Sequence, residues 1–152
     1  MDIGVTEFSD EALLVGRVML SLLFVLSGWG KLTDFHDAVA YMTQTGAPIP
    51  FLSAAIAVAI ELVVGLALML GILTRPVAIL LALYTLVTAF IGHHYWTRTG
   101  LRSDNLVHFY KNFSIVGALL VLYVTGAGRY AVDTRVRAPR RGPSAASSIS
   151  RG

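Results

Sequence analysis

"FLSAAIAVAIELVVGLALMLGILTRPVAILLALYTLVTAF", residues 51–90, decides how this chain folds. It holds most of two long apolar runs, 51 to 73 and 76 to 96, joined across "LTRP". About 20 apolar residues in a helix rising 1.5 Å each cross a hydrocarbon core of roughly 30 Å, so each run is long enough to span a membrane. The connection is so short that the two spans must be antiparallel neighbours. Pro76 fits the first position of the second of them.

Two further runs are of the same kind. Residues 12 to 31 lie in "ALLVGRVMLSLLFVLSGWGKL", and residues 106 to 127 close at "GAG", a helix-ending signal. The chain has 152 residues, 55% hydrophobic and 14% charged, against about 25% charged in ordinary soluble domains. Its mean hydropathy is +0.69. The expectation is an all-α integral membrane protein, a four-helix antiparallel bundle with cytoplasmic termini. Residues 1–11 form an N-terminal tail, 12–135 the membrane domain and 136–152 a basic tail, which leaves no room for a soluble catalytic domain.

A signal peptide is the rival reading of the first run. Its flank "MDIGVTEFSDEA" carries acidic residues and no basic n-region, and no small-residue cleavage site follows, so the run is read as a retained anchor. Between the first two spans, "TDFHDAVAYMTQTGAPIP" places Phe35, Val39 and Met42 near one helical face. That suits a short helix lying at the membrane interface, with an ordered loop as the alternative.

Orientation follows from Lys and Arg in the flanks and short loops. With the termini inside, the cytoplasmic side carries Arg75, Arg129, Arg135, Arg137, Arg140, Arg141 and Arg151, and the opposite side Lys31, Arg98 and Arg102. The bias places the termini in the cytoplasm. The tail "RVRAPRRGPSAASSISRG" has no apolar periodicity and is expected to be disordered against anionic headgroups. It supplies much of the net charge of +3, so the basic balance points to lipid and not to nucleic acid.

Charged and polar residues inside the spans are the candidates for function, because an isolated charge at mid-bilayer costs at least roughly 2.5 to 3.5 kcal/mol. Arg17 and Glu61 differ in backbone depth by roughly 6 Å at 1.5 Å per residue, which an arginine side chain covers. They are read as one ion pair, acting either as a structural clasp or as a proton carrier. A second group gathers near the outer surface: Lys31 closing the first span, His93 and His94 closing the third, and His108, Lys111 and Asn112 opening the fourth. The last three are spaced i, i+3, i+4 and share a helical face. Together they form a donor-rich site for an anion or a carbonyl compound. For Lys31 alone, snorkelling to the headgroups is the simpler account, and Tyr95, Trp96, Phe109 and Tyr110 resemble an interfacial aromatic belt.

Composition removes several chemistries. Cysteine is absent, which excludes thiol relays, covalent c-type haem attachment and iron–sulfur ligation within this chain. Histidines at helix ends are weak grounds for haem, and Asp34, Asp37 and Asp104 show no ligand spacing for a metal. "NFS" at 112–114 matches a glycosylation sequon only formally, since it falls within a span.

These residues and their neighbours resemble a known family. "GRVMLSLLFVLSGWGKL" is similar to the first helix of DoxX-type membrane proteins, with Arg17, Gly28 and Lys31, and "IELVVGLALMLGILTRP" to the second, with Glu61, Gly65, Gly71 and Arg75. "HHYW" resembles the histidine and aromatic pair ending the third helix, where the spacing to Trp96 favours His93. "KNFSIVGALL" resembles the fourth, with Lys111, Asn112 and Gly117, and "GAGRYAVD" resembles the usual ending at Asp133. The resemblance runs from about residue 12 to 135. It implies a four-helix bacterial inner-membrane protein of a family whose name descends from a subunit of a thiosulfate:quinone oxidoreductase.

Three functions are weighed on these grounds. The first is a redox-associated membrane subunit binding a quinone or small anion near the outer leaflet through Lys31, His93, Lys111 and Asn112. The second is a non-catalytic anchor for a soluble redox or oxidative-stress enzyme. The third is a small solute or anion carrier, which four spans without an inverted repeat make the weakest. Membrane lipid is the expected partner, with a redox protein or a second copy as candidates. Small residues on the fourth span, Ser114, Gly117 and Ala118, would permit close helix contact.

Overall fold

The computed structural model describes residues 3–93 and 102–137. His94, Tyr95, Trp96, Arg98 and the segment 138–152, all part of the sequence expectations, lie outside the described residues. The elements run α1 (Ile3–Thr33), α2 (Phe35–Gln44), α3 (Pro50–Ala59), a π-helical turn (Ile60–Val64), α4 (Gly65–Leu70), α5 (Thr74–Gly92), α6 (Arg102–Thr125) and α7 (Val132–Arg137). Four stretches within them are long and apolar enough to cross a membrane: Ser9–Thr33, Pro50–Leu70, Thr74–Gly92 and Asp104–Thr125.

The sequence limits shift in ways local chemistry explains. α1 already includes residues 3 to 11, expected as a tail. The second span stops at Leu70 because Gly71 turns left-handed at φ 71. The Gly71 and Ile72 amides then donate to Leu68 O (3.0 Å) and Ala67 O (2.9 Å), a Schellman ending. α5 begins at Thr74, so Pro76 is its third residue, where a missing N–H still costs no helical bond. The interfacial segment is a helix, α2, entered through Asp34, whose side chain accepts from the Asp37 amide. Within the second span, the π turn inserts an extra residue per turn and carries Glu61 on it.

The spans pack as two hairpins. α1 lies along α3, the π turn and α4, while α5 lies along α6. The hairpins meet through Phe24, Leu68, Ala78, Leu81, Ala82, Leu119 and Leu122, which are buried as one cluster. Lipid tails are as apolar as leucine, so close backbone approach and polar contacts take over from the hydrophobic effect. Small residues accordingly fill the contacts: Ala54 and Ala57 on α3, Gly28 on α1, Gly65 on α4 and Ala89 on α5 are buried.

One end of the bundle gathers the start of α1 and the end of α6. The Arg129 amide donates to Asp10 (2.9 Å), and the Tyr130 hydroxyl donates to Glu11 (2.8 Å). Here Asp133 accepts from the amides of Leu73 (2.9 Å) and Thr74 (3.0 Å), the first turn of α5, and its own amide donates to Gly71 O (3.1 Å). A carboxylate at a helix N-terminus satisfies orphan donors and meets the positive end of the dipole. Lys31, α2, His93 and Lys111 lie towards the opposite end.

Candidate functional site

The expected Arg17–Glu61 pair is not formed. Arg17, 2% exposed, donates instead to the carbonyls of Ala127 and of Tyr130 (2.8 Å), holding the segment after α6. Glu61 takes Lys31, with Nζ to Oε2 at 2.7 Å. Depth counted along straight helices missed two features. The lysine stem runs back towards the bundle middle, where Nζ also donates to Ser27 Oγ at 2.6 Å. Gly28 lets α1 lie against the π turn: a Cβ there would stand 2.9 Å from the Cβ of Glu61 and 2.9 Å from Cγ of Leu62.

Tyr84 on α5 completes the network by donating its hydroxyl to Glu61 Oε1 at 2.6 Å. Both oxygens of a carboxylate that is 6% exposed thus have donors, and the contact crosses from one hairpin to the other. A charge kept within a span needs this kind of partnering. Nothing in the sequence argument named Tyr84, Thr85 or Thr88. The signal was present in "LYTLVTAF", residues 83–90, where three hydroxyls at i, i+1 and i+4 interrupt an otherwise aliphatic helix face.

Above this network the hairpins part around a cavity of about 500 Å³. Its polar lining includes Lys31, Glu61, Tyr84, Thr85, Lys111 and Asn112. Apolar side chains from α1, α3 and α5, among them Phe24, Ile56 and Ile91, form much of the rest. Thr85 Oγ1 is buried without a hydrogen-bond partner. Asn112, 8% exposed, brings an amide to the same space from α6. Lys31 is balanced by Glu61, and among the described residues of the wall no second carboxylate accompanies Lys111, which is itself exposed.

His93 also lines the cavity. Its ring stacks on that of His108 with centroids 5.1 Å apart, and His108 Nδ1 lies 3.2 Å from Lys111 Nζ. His108 itself is exposed and stands at the rim. The outer cluster of the sequence reading is therefore brought together for Lys31, His93, His108, Lys111 and Asn112, with Lys31 tied deeper than its position implied.

The remaining candidates have structural places. Gly65 permits Phe24 to approach, a Cβ there lying 3.1 Å from the Phe24 Cβ. At Gly71, a Cβ would meet Ala131 Cβ at 2.6 Å and Arg17 at 2.9 Å. Arg75 is exposed and passes Gly126, and Gly117 faces open space with nothing within 4 Å. Among the described residues no three His, Cys, Asp or Glu converge as a metal site would require.

Fold and cavity define a small four-span membrane protein with a ligand-sized, mostly apolar chamber carrying a few polar groups towards one end. The DoxX family model matches residues 12–94, and the chain belongs to the DoxX family. It is similar to inner membrane protein YphA of Escherichia coli, 45% identical over 124 residues, covering 81% of this chain and 89% of the relative. It is also similar to inner membrane protein YqjF of the same organism, 35% identical over 127 residues, covering 84% and 93%. No solved structure matches the chain.

Proposed function

We propose that this protein is a redox-associated inner-membrane subunit that binds a small carbonyl or oxyanion ligand, with a quinone headgroup as the best candidate, in the chamber between its two hairpins. The observation that carries the reading is the cavity itself: about 500 Å³, walled largely by apolar side chains, with Tyr84, Thr85, Lys111 and Asn112 on its wall. Ligand sites typically enclose roughly 300 to 1,000 Å³ and combine apolar walls with a few placed polar groups. Lys111 and Asn112 would donate to a ligand oxygen, and Thr85 Oγ1 would gain the partner it lacks. Lys31, held on Glu61, would supply field more than contact.

The inner-membrane location is supported by the names of the two relatives. The arginine bias supports cytoplasmic termini, with the chamber in the outer half of the bilayer. A reporter fused at the C-terminus that is active only in the cytoplasm tests this placement.

The ligand reading is tested by native mass spectrometry and lipid extraction of protein purified in mild detergent, comparing the parent with Lys111→Ala/Asn112→Ala. A quinone or small anion that travels with the parent and is lost from the folded variant is the expected result. Parent and variant both folded and empty would overturn it and turn the search to an anchoring role for a protein partner.

A further inference from the structure

We propose that the chamber is entered sideways from the lipid, through a gap between the second and third spans, by a ligand that leaves an apolar tail in the bilayer. This deepens the ligand reading given above and stands on separate geometry.

The second span meets the third through α4 and the π turn, whereas α3 packs instead on α2 and α1. The two spans therefore diverge above the Glu61–Tyr84 hydrogen bond. That bond fixes their relative level. Ile56 lies five residues above Glu61 on α3, and Val87 lies three above Tyr84 on the antiparallel α5. At 1.5 Å per residue the rises are roughly 7.5 and 4.5 Å, so the two residues stand within about 3 Å of one height on the two diverging spans.

Both Ile56 and Val87 line the chamber. Both are well exposed, at 48% and 54%, as are Leu23 and Tyr41 elsewhere on the wall. Between α3 and α5 this exposure coincides with the place where two neighbouring spans part, and that coincidence is what selects this side for an opening into lipid. The aqueous approach from the α2 side is narrowed by α2 and the turn after it. Tyr41, Met42, Thr45 and Ala47 line the chamber from that side, with Thr45 and Ala47 buried. The Tyr41 hydroxyl reaches α5, 3.3 Å from where a Cβ on Gly92 would sit.

The polar groups lie inward of this gap: Tyr84 and Thr85 below it and Asn112 on α6. A molecule with an acceptor head and a long apolar tail can place its head among them while the tail passes between Ile56 and Val87. A ligand polar at both ends would have to leave one end in hydrocarbon, where unmatched polar groups are costly.

The chain has no cysteine, so a single introduced thiol reports access without background. Thr88→Cys, on the chamber wall, is reconstituted in liposomes and treated with a maleimide carried on a long acyl chain or with a charged, membrane-impermeant maleimide. The expected result is faster labelling by the acyl reagent. Val87→Trp should slow that reagent about tenfold, the effect of ~1.4 kcal/mol of added barrier. Faster labelling by the charged reagent, or no effect of Val87→Trp on the acyl reagent, would overturn the portal.

Ile115→Cys, on the opposite wall, gives the same readout if Thr88→Cys fails to fold. Adding a long-tailed benzoquinone with a fully substituted ring, which leaves no ring position for the thiol to add to, separates the two proposals. Protection of the thiol supports both, and lipid-borne labelling without protection retains the portal while overturning the quinone reading.

Discussion

Lys31→Met is the sharpest perturbation of the intramembrane network. Glu61 is held by two donors, Lys31 Nζ at 2.7 Å and the Tyr84 hydroxyl at 2.6 Å. Removing the lysine leaves a carboxylate whose side chain is 8% exposed with one neutral donor. Removing one partner of a buried pair costs about 3–5 kcal/mol. The Lys31 side chain is itself 23% exposed, which moves the expectation to the lower end, about 3 kcal/mol. For a chain of this size each kcal/mol moves the melting temperature by roughly 2–4 °C, so a fall of about 6–12 °C is expected in mild detergent. Glu61→Gln should cost less, about 1–2 kcal/mol, because the amide still accepts from Tyr84 and the freed lysine can extend towards water.

The double variant tests the pairing directly. Lys31→Met/Glu61→Gln leaves no unmatched charge and should recover about 1–3 kcal/mol relative to the sum of the single losses. Thermal melts of the four proteins followed by circular dichroism give the cycle. Additivity within about 0.5 kcal/mol would refute the reasoning. The same cycle with Arg17→Met and Glu61→Gln should be additive, since Arg17 bonds carbonyls of the segment after α6.

Three further outcomes are expected. Gly28→Val drives side-chain atoms into the π turn and should cost at least the 1–3 kcal/mol of ordinary overpacking, roughly, read as a lower melting temperature. Gly71→Ala combines a left-handed backbone at φ 71 with a contact of 2.6 Å to Ala131. It should expose the segment 126–133 to protease, and unchanged digestion would count against the docking described. Asp133→Ala removes two bonds to the α5 amides and should lower stability by about 1–2 kcal/mol, while Asp133→Asn should retain part of it.

The spans were legible because each is a long apolar run, and α2 because Phe35, Val39 and Met42 fall on one face. Which polar residues matter was also largely legible, since a charge inside a span stands out against its neighbours. Their pairing was not. Periodicity assumes uniform turns, and the π turn at Ile60–Val64 re-aims Glu61 by an inserted residue that no pattern announces. Gly28 was marked only by the family resemblance, and the pattern did not say that it lets α1 lie against the π turn that carries Glu61. Tyr84 was hidden by its type, because tyrosine in a membrane helix is ordinarily taken for packing or an interface anchor. Asp133 entered only through family resemblance, as its partners, Leu73 and Thr74, lie about 60 residues earlier in the chain.

That last separation bears on how the protein is made. Leu73 adopts a left-handed backbone at φ 47, a conformation costly for a leucine, and its amide is taken by a side chain synthesised only after the fourth span. Until Asp133 is made, the turn between spans two and three would rest on its own backbone bonds, Gly71 to Leu68 O and Ile72 to Ala67 O. The carboxylate of Asp133 then adds acceptors for the amides of Leu73 and Thr74. A chain interrupted before that point is expected to hold this turn less firmly, read as faster digestion there than in the full chain.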